Sequence, residues 1–238
     1  MHTRFTRPVL LCTFLMVVHA GTAAAKVGAA DRQMETVTAF SYAAGSGETH
    51  ETAAALALYG AKHKPVVMAA GRLAEAGLLN AEANRKMAIY CLVADGMRPD
   101  VIEQSVDAGS RTYTVKIRSV LSLTDYVKAD IRNQSLEKEE MHLSLKEEME
   151  PAVPTGIAPA LELSRAYRYI ANDHWRMAII YMDHLETKYP HWGALQLAKA
   201  TAYLGMHEQE RALSALHSAC YLGVEEACLK INGLDPSN

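Results

Sequence analysis

The sequence predicts an all-α chain, a solenoid of helical hairpins preceded by an irregular helical N-terminal half. Three observations lead there. From Pro159 to Val224 the chain repeats itself every 34 residues: Ala166 recurs as Ala200, Tyr169 as Tyr203 and Ala178 as Ala212, while Met182 answers to Leu216 and Leu185 to Ala219. Upstream, three alanine-rich stretches each close on a glycine, at Gly60, Gly77 and Gly96, as helices commonly do. Between them, Pro151, Pro154 and Pro159 with Gly156 break any helix and divide residues 26–150 from a repeat region at 159–238, with a Pro-rich linker at 151–158.

In chain order, residues 1–25 read as a secretory signal. His2, Arg4 and Arg7 make a basic start, Val9 to Val18 an apolar run too short to span a bilayer, and Thr22 to Ala25 a small-residue cleavage site. Cleavage is expected after Ala25, or alternatively after Ala20. Ala29 to Glu48 is a short helix candidate ended by Gly45-Ser46-Gly47. Helices follow at Glu51–Tyr59, at Pro65–Ala76 with Pro65 at its first position, and at Ala81–Ala94 with Asn80 as N-cap. Pro99 to Ala108 makes one more, closed by Gly109. Tyr113, Val115 and Ile117 alternate with polar residues, a period of two that suits a strand with one buried face. Yet Tyr113, Ile117, Val120, Leu121, Val127 and Ile131 also keep helical spacing, and an all-α chain takes them as helix. Gln134 to Glu150 is a charge-rich helix with a solvated face. Glu225 to Ile231 is expected to cap the open end of the repeats.

The repeat rests on small residues. Ala166 and Ala178, then Ala200 and Ala212, are each twelve apart and let two antiparallel helices approach closely. One hairpin cannot bury its apolar stripe alone, so copies stack. With Tyr169, Trp175 and Pro190 in the first copy, and Tyr203 and Ala219 in the second, the pattern resembles the tetratricopeptide repeat. It departs from that family in having Val224 where Pro is usual, and Gly205 two places before the usual turn glycine. The resemblance implies a concave wall made by Ala160, Leu163, Tyr167, Ile170 and Ala171, then Ala194, Leu197, Thr201, Leu204 and Gly205. Of these, Leu163, Tyr167, Ile170, Leu197, Thr201 and Leu204 are the candidate partner groove. The wall is apolar and lacks the Lys, Asn and Arg set that clamps a peptide carboxylate in some family members. It suits an amphipathic helix or extended apolar segment of a partner. The alternative occupant is the protein's own preceding helix.

Export implies an oxidising compartment, in which Cys220 and Cys228, flanking Gly223, can pair; two buried thiols are the alternative. Their spacing of eight is similar to that of secreted cysteine-rich helical repeats, which implies a bond between the helices of one hairpin. Cys91 lies in an apolar helical run and reads as an inert core thiol.

Signal removal leaves 22 of the 24 basic residues against 27 acidic ones, a net charge of −5 with no basic cluster, which disfavours nucleic acid. Asp173-His174, Asp183-His184, Glu186 and His191 lack the i, i+4 spacing of a metal pair, so neither metal nor cofactor is expected. No nucleophile elbow or phosphate loop is present, and Ser46 with His50 makes no catalytic arrangement by sequence proximity alone. The reading is therefore a non-catalytic adaptor, periplasmic or secreted, binding a protein partner in a cell-envelope assembly such as secretion, pilus or outer-membrane machinery. The Tyr189-Pro190 ending is similar to repeats of envelope-assembly proteins. A periplasmic enzyme or metal-binding protein, and a self-associating structural subunit, are the alternatives.

Overall fold

The structure, a computed structural model, describes residues 33–79, 83–144 and 156–234. The signal, the Asn80 cap and most of the Pro-rich linker lie outside them. Among the described residues the chain is not all-α: eight helices accompany a three-stranded antiparallel sheet of order β1-β3-β2.

Strand β1 (Met34–Ala43) replaces the helix expected over Ala29–Glu48. Its Thr36-Val37-Thr38 run is β-branched, and Met34, Thr36, Thr38 and Tyr42 turn inward at every second position. Strand β2 (Asp100–Asp107) replaces the helix expected over Pro99–Ala108. Strand β3 (Thr112–Leu121) settles the ambiguity at Tyr113 in favour of period two, with Tyr113, Val115, Ile117, Ser119 and Leu121 buried. The β2–β3 turn is held by Asp107, which accepts from Gly109 N at 3.0 Å and Ser110 Oγ at 2.6 Å.

Helix α1 (His50–Glu75) packs across β1 and β3. It begins at Thr49, whose hydroxyl accepts from Thr52 N at 3.1 Å. The helix runs through Gly60 and Pro65, where the sequence suggested two helices. Proline cannot bond the carbonyl four residues back, and that carbonyl, Ala61 O, instead accepts from Thr38 Oγ1 at 3.0 Å. Gly60 gives way to the Phe40 ring, which a side chain there would meet at 2.4 Å. One threonine and one glycine thus seat a proline-containing helix on the sheet.

Helix α2 (Ala83–Gly96) leads into β2, and α3 (Leu123–Ser144) follows β3. Ser122 caps α3, its N and Oγ both donating to Asp125 Oδ2, at 2.7 and 2.9 Å. The repeat region comprises α4 (Pro159–Ala171), α5 (Trp175–Lys188), α6 (Gly193–Gly205), α7 (Gln209–Tyr221) and α8 (Glu225–Leu234). Its turns share one form: Asp173, His207 and Gly223 are left-handed, at φ 59°, 60° and 86°. Beside them His174 N, Glu208 N and Val224 N donate to Tyr169, Tyr203 and Ala219 carbonyls at 2.9 to 3.0 Å. Asp173 and His207 are 34 residues apart, so the repeat extends to its turns.

One apolar core runs from the sheet through α1, α2 and α3 into α4, α5 and α6. A second, small cluster of Leu197, Ala200, Ala215, Leu216, Ala219 and Ala227 holds the C-terminal end.

Candidate functional site

All four small residues of the repeat, Ala166, Ala178, Ala200 and Ala212, are fully buried, in helix pairs α4/α5 and α6/α7 that pack together. Tyr169 and Tyr203 are partly buried against the two clusters. Cys220 and Cys228 form a disulfide with Cα atoms 4.9 Å apart, joining α7 to α8. Cys91 is buried, and desolvation pushes its thiol up to about 12, so almost none is thiolate at neutral pH.

The concave wall lies differently from an open groove. Leu163, Tyr167 and Ile170 are buried in the main core, where α2 packs along α4. Tyr167 sits beside Cys91 and Tyr59 there. The Tyr59 ring in turn meets Trp192 edge-on at 5.4 Å, and Gly45 abuts the His191 ring. Leu197 is 6% exposed and belongs to the C-terminal cluster. Thr201 and Leu204 keep partial exposure.

Several of the polar residues gathered inside the fold are held by partners there. Arg168 spans Glu140 with Nε to Oε2 at 3.0 Å and Nη2 to Oε1 at 2.7 Å, and donates to Ser164 Oγ at 3.1 Å. Lys199 lies between Asp183 and Glu186, at 2.7 and 2.6 Å. Glu48 accepts from Tyr42 Oη at 2.7 Å and Gly45 N at 2.9 Å, while Arg111, at φ 51°, donates to the Gly45 and Glu48 carbonyls. His50 Nδ1 bonds Tyr113 Oη at 3.0 Å, not Ser46. Each arrangement fixes one element to another, and among the described residues no three metal-ligating side chains converge.

The surface that the fold leaves unfinished is β2. It pairs with β3 on one side alone among the described residues, and all eight of its residues are exposed. Val101 is 53% exposed, Ile102 46% and Val106 43%. The reason is geometric: α1 covers β1 and β3, and the inward side of β2, bearing Val101, Gln104 and Val106 level with Ile117, Val115 and Tyr113, projects beyond it. A register shift between Val101 and Glu103 places a bulge at Ile102. These residues escape the sequence reading because Pro99 and Gly109 imitate helix ends; the signal for them is Val101-Ile102, β-branched and adjacent. Comparison with protein-family models, curated proteins and solved structures gives no match to this chain.

Proposed function

We propose that this chain is a non-catalytic exported adaptor that holds a protein partner of a cell-envelope assembly, and that β2 receives an extended segment of that partner. The observation that carries this reading is an eight-residue edge strand with its outer backbone unpaired among the described residues and two valines and an isoleucine in solvent. Proteins usually cover or shorten such an edge, and strand addition satisfies it with backbone hydrogen bonds while side-chain pockets confer selectivity. The disulfide fits an oxidising compartment, and no helix among the described residues is long and apolar enough to cross a membrane. With Leu163, Tyr167 and Ile170 enclosed, the docking role passes from the solenoid wall to the sheet edge.

The test pairs Val101→Lys with Val106→Lys. Both side chains are exposed, so each change is expected to alter folding stability by no more than about 0.5 kcal/mol. The partner co-purified with the wild-type chain should be lost, and in the wild-type complex amide exchange should slow across residues 100–107. A partner retained by the double variant, or protection that falls on Thr201 and Leu204 instead, refutes the assignment.

A further inference from the structure

Resting on that reading, we infer that the segment added to β2 is cationic: an extended partner strand with Lys or Arg at alternate positions and apolar residues between them. The inference comes from the charge order across the sheet. On the face away from α1, Glu35 of β1 pairs with Arg118 of β3 at 3.4 Å. Asp100 and Glu103 of β2 then stand level with Arg118 and Lys116 in the ladder. Acid, base and acid follow from β1 to β3 to β2, and the next place in the series lies beyond β2. A strand there meets Asp100 and Glu103 on one face and Val101 and Val106 on the other, because successive side chains alternate. Asp107 is engaged with the hairpin turn.

A second copy of this chain is the poorer occupant. β2 reads Asp-Val-Ile-Glu-Gln-Ser-Val-Asp, with three acids and no base, so no register of β2 against itself forms an opposite-charge pair. Pairing two-fold about Glu103 sets that carboxylate against its own copy, and pairing about Ser105 sets Glu103 against Asp107. Like charges directly opposite destabilise a ladder. The bulge at Ile102 bends the same edge, a further obstacle to flat self-pairing.

The test uses the intact disulfide-bonded chain and two synthetic ten-residue peptides, one alternating lysine with valine and one alternating glutamate with valine. Binding is read by fluorescence anisotropy at low and high salt, and the site by amide chemical shifts. The lysine peptide is expected to bind at least tenfold more tightly than the glutamate peptide, with shifts confined to residues 100–107. That preference should shrink several-fold at high salt and in the Asp100→Asn/Glu103→Gln variant. Equal binding of both peptides at β2, or a preference unchanged in that variant, overturns the charge rule while leaving strand addition standing. Shifts outside β2, undiminished binding of a lysine peptide N-methylated at alternate amides, or no binding by either peptide overturns both. A concentration-dependent dimer that Val106→Lys dissolves assigns the edge to a second copy and also overturns the inference.

Discussion

Replacing Glu140 by Gln should loosen the junction between α3 and α4 and lower the stability of the fold. Its carboxylate accepts from Arg168 at 3.0 and 2.7 Å and from Arg165 at 3.0 Å, bridging α3 to α4. The Arg168 side chain is 2% exposed and that of Glu140 14%, so water screens the pair little. At an effective dielectric constant near 20, unit charges about 4 Å apart attract by roughly 4 kcal/mol. Much of that offsets the desolvation of both groups. The asymmetry between keeping and breaking the pair matters more: removing one member strands the other charge in the interior, at a cost of about 3–5 kcal/mol. Arg165 is 28% exposed and can turn toward solvent, which places Glu140→Gln at about 3 kcal/mol, the low end. Arg168→Met should cost a similar amount, whereas the double variant Glu140→Gln/Arg168→Met removes both charges and should cost less than the two single losses together. Urea denaturation followed by circular dichroism measures all three. A loss below about 1 kcal/mol for Glu140→Gln, or strict additivity in the cycle, would show that Arg168 is satisfied without this carboxylate.

Two further outcomes follow from the same structure. Reducing the Cys220–Cys228 bond, whose cysteines are eight residues apart, should destabilise the C-terminal end by about 2–3 kcal/mol in the chain-entropy account; in hydrogen exchange, α7 and α8 should lose protection while α4 keeps it, because α7 and α8 meet in the small cluster around Leu216 and Ala227 and α4 lies in the main core. The His63 ring stacks on Tyr59 with its Nε2 enclosed, and desolvation lowers its pKa from 6.5 to about 4. Acidification across that interval therefore protonates the unfolded chain first and removes stability that is full above pH 6.5, by about 1–2 kcal/mol once the ring's partial exposure is discounted. The wild-type stability relative to His63→Gln, followed by urea titration from pH 7.5 to 4, should fall by that amount.

The helix pairs α4/α5 and α6/α7 were legible because their information is local. Ala166 and Ala178 lie on neighbouring helices joined by a short turn, and the 34-residue echo survives even at the left-handed turn residues Asp173 and His207. The sheet is non-local: Met34 pairs with Leu121, and nothing near Met34 announces a partner so far along the chain. The helical stripe at Tyr113 was a composite. Tyr113, Ile117, Val120 and Leu121 belong to β3 and Val127 and Ile131 to α3, and the two residues that completed the stripe are 49% and 60% exposed. Pro65 misled in the opposite direction, since Thr38 on a distant strand takes over the carbonyl that a proline leaves vacant. The edge at β2 was hidden twice, by its helix-like flanks and because exposure of a strand depends on how far α1 reaches across the sheet.

That reach leaves the proposed docking surface at the sheet edge. Two helical hairpins, α4/α5 and α6/α7, have too few neighbours to bury their apolar faces by stacking on each other alone. The chain supplies the missing layer itself by laying α2 along α4, and Tyr59 and Gly45 against Trp192 and His191. Helix α1, which carries Tyr59, also packs on the sheet, and its contacts there lie on β1 and β3. With α1 seated on β1 and β3 by Thr38 and by the Phe40 ring in the Gly60 notch, β2 is left beyond its flank. Capping the repeats from within and leaving a sheet edge bare are then one structural choice. A side chain at Gly60 must displace either the Phe40 ring or α1, so Gly60→Ala is expected to lower the midpoint of thermal unfolding followed by circular dichroism.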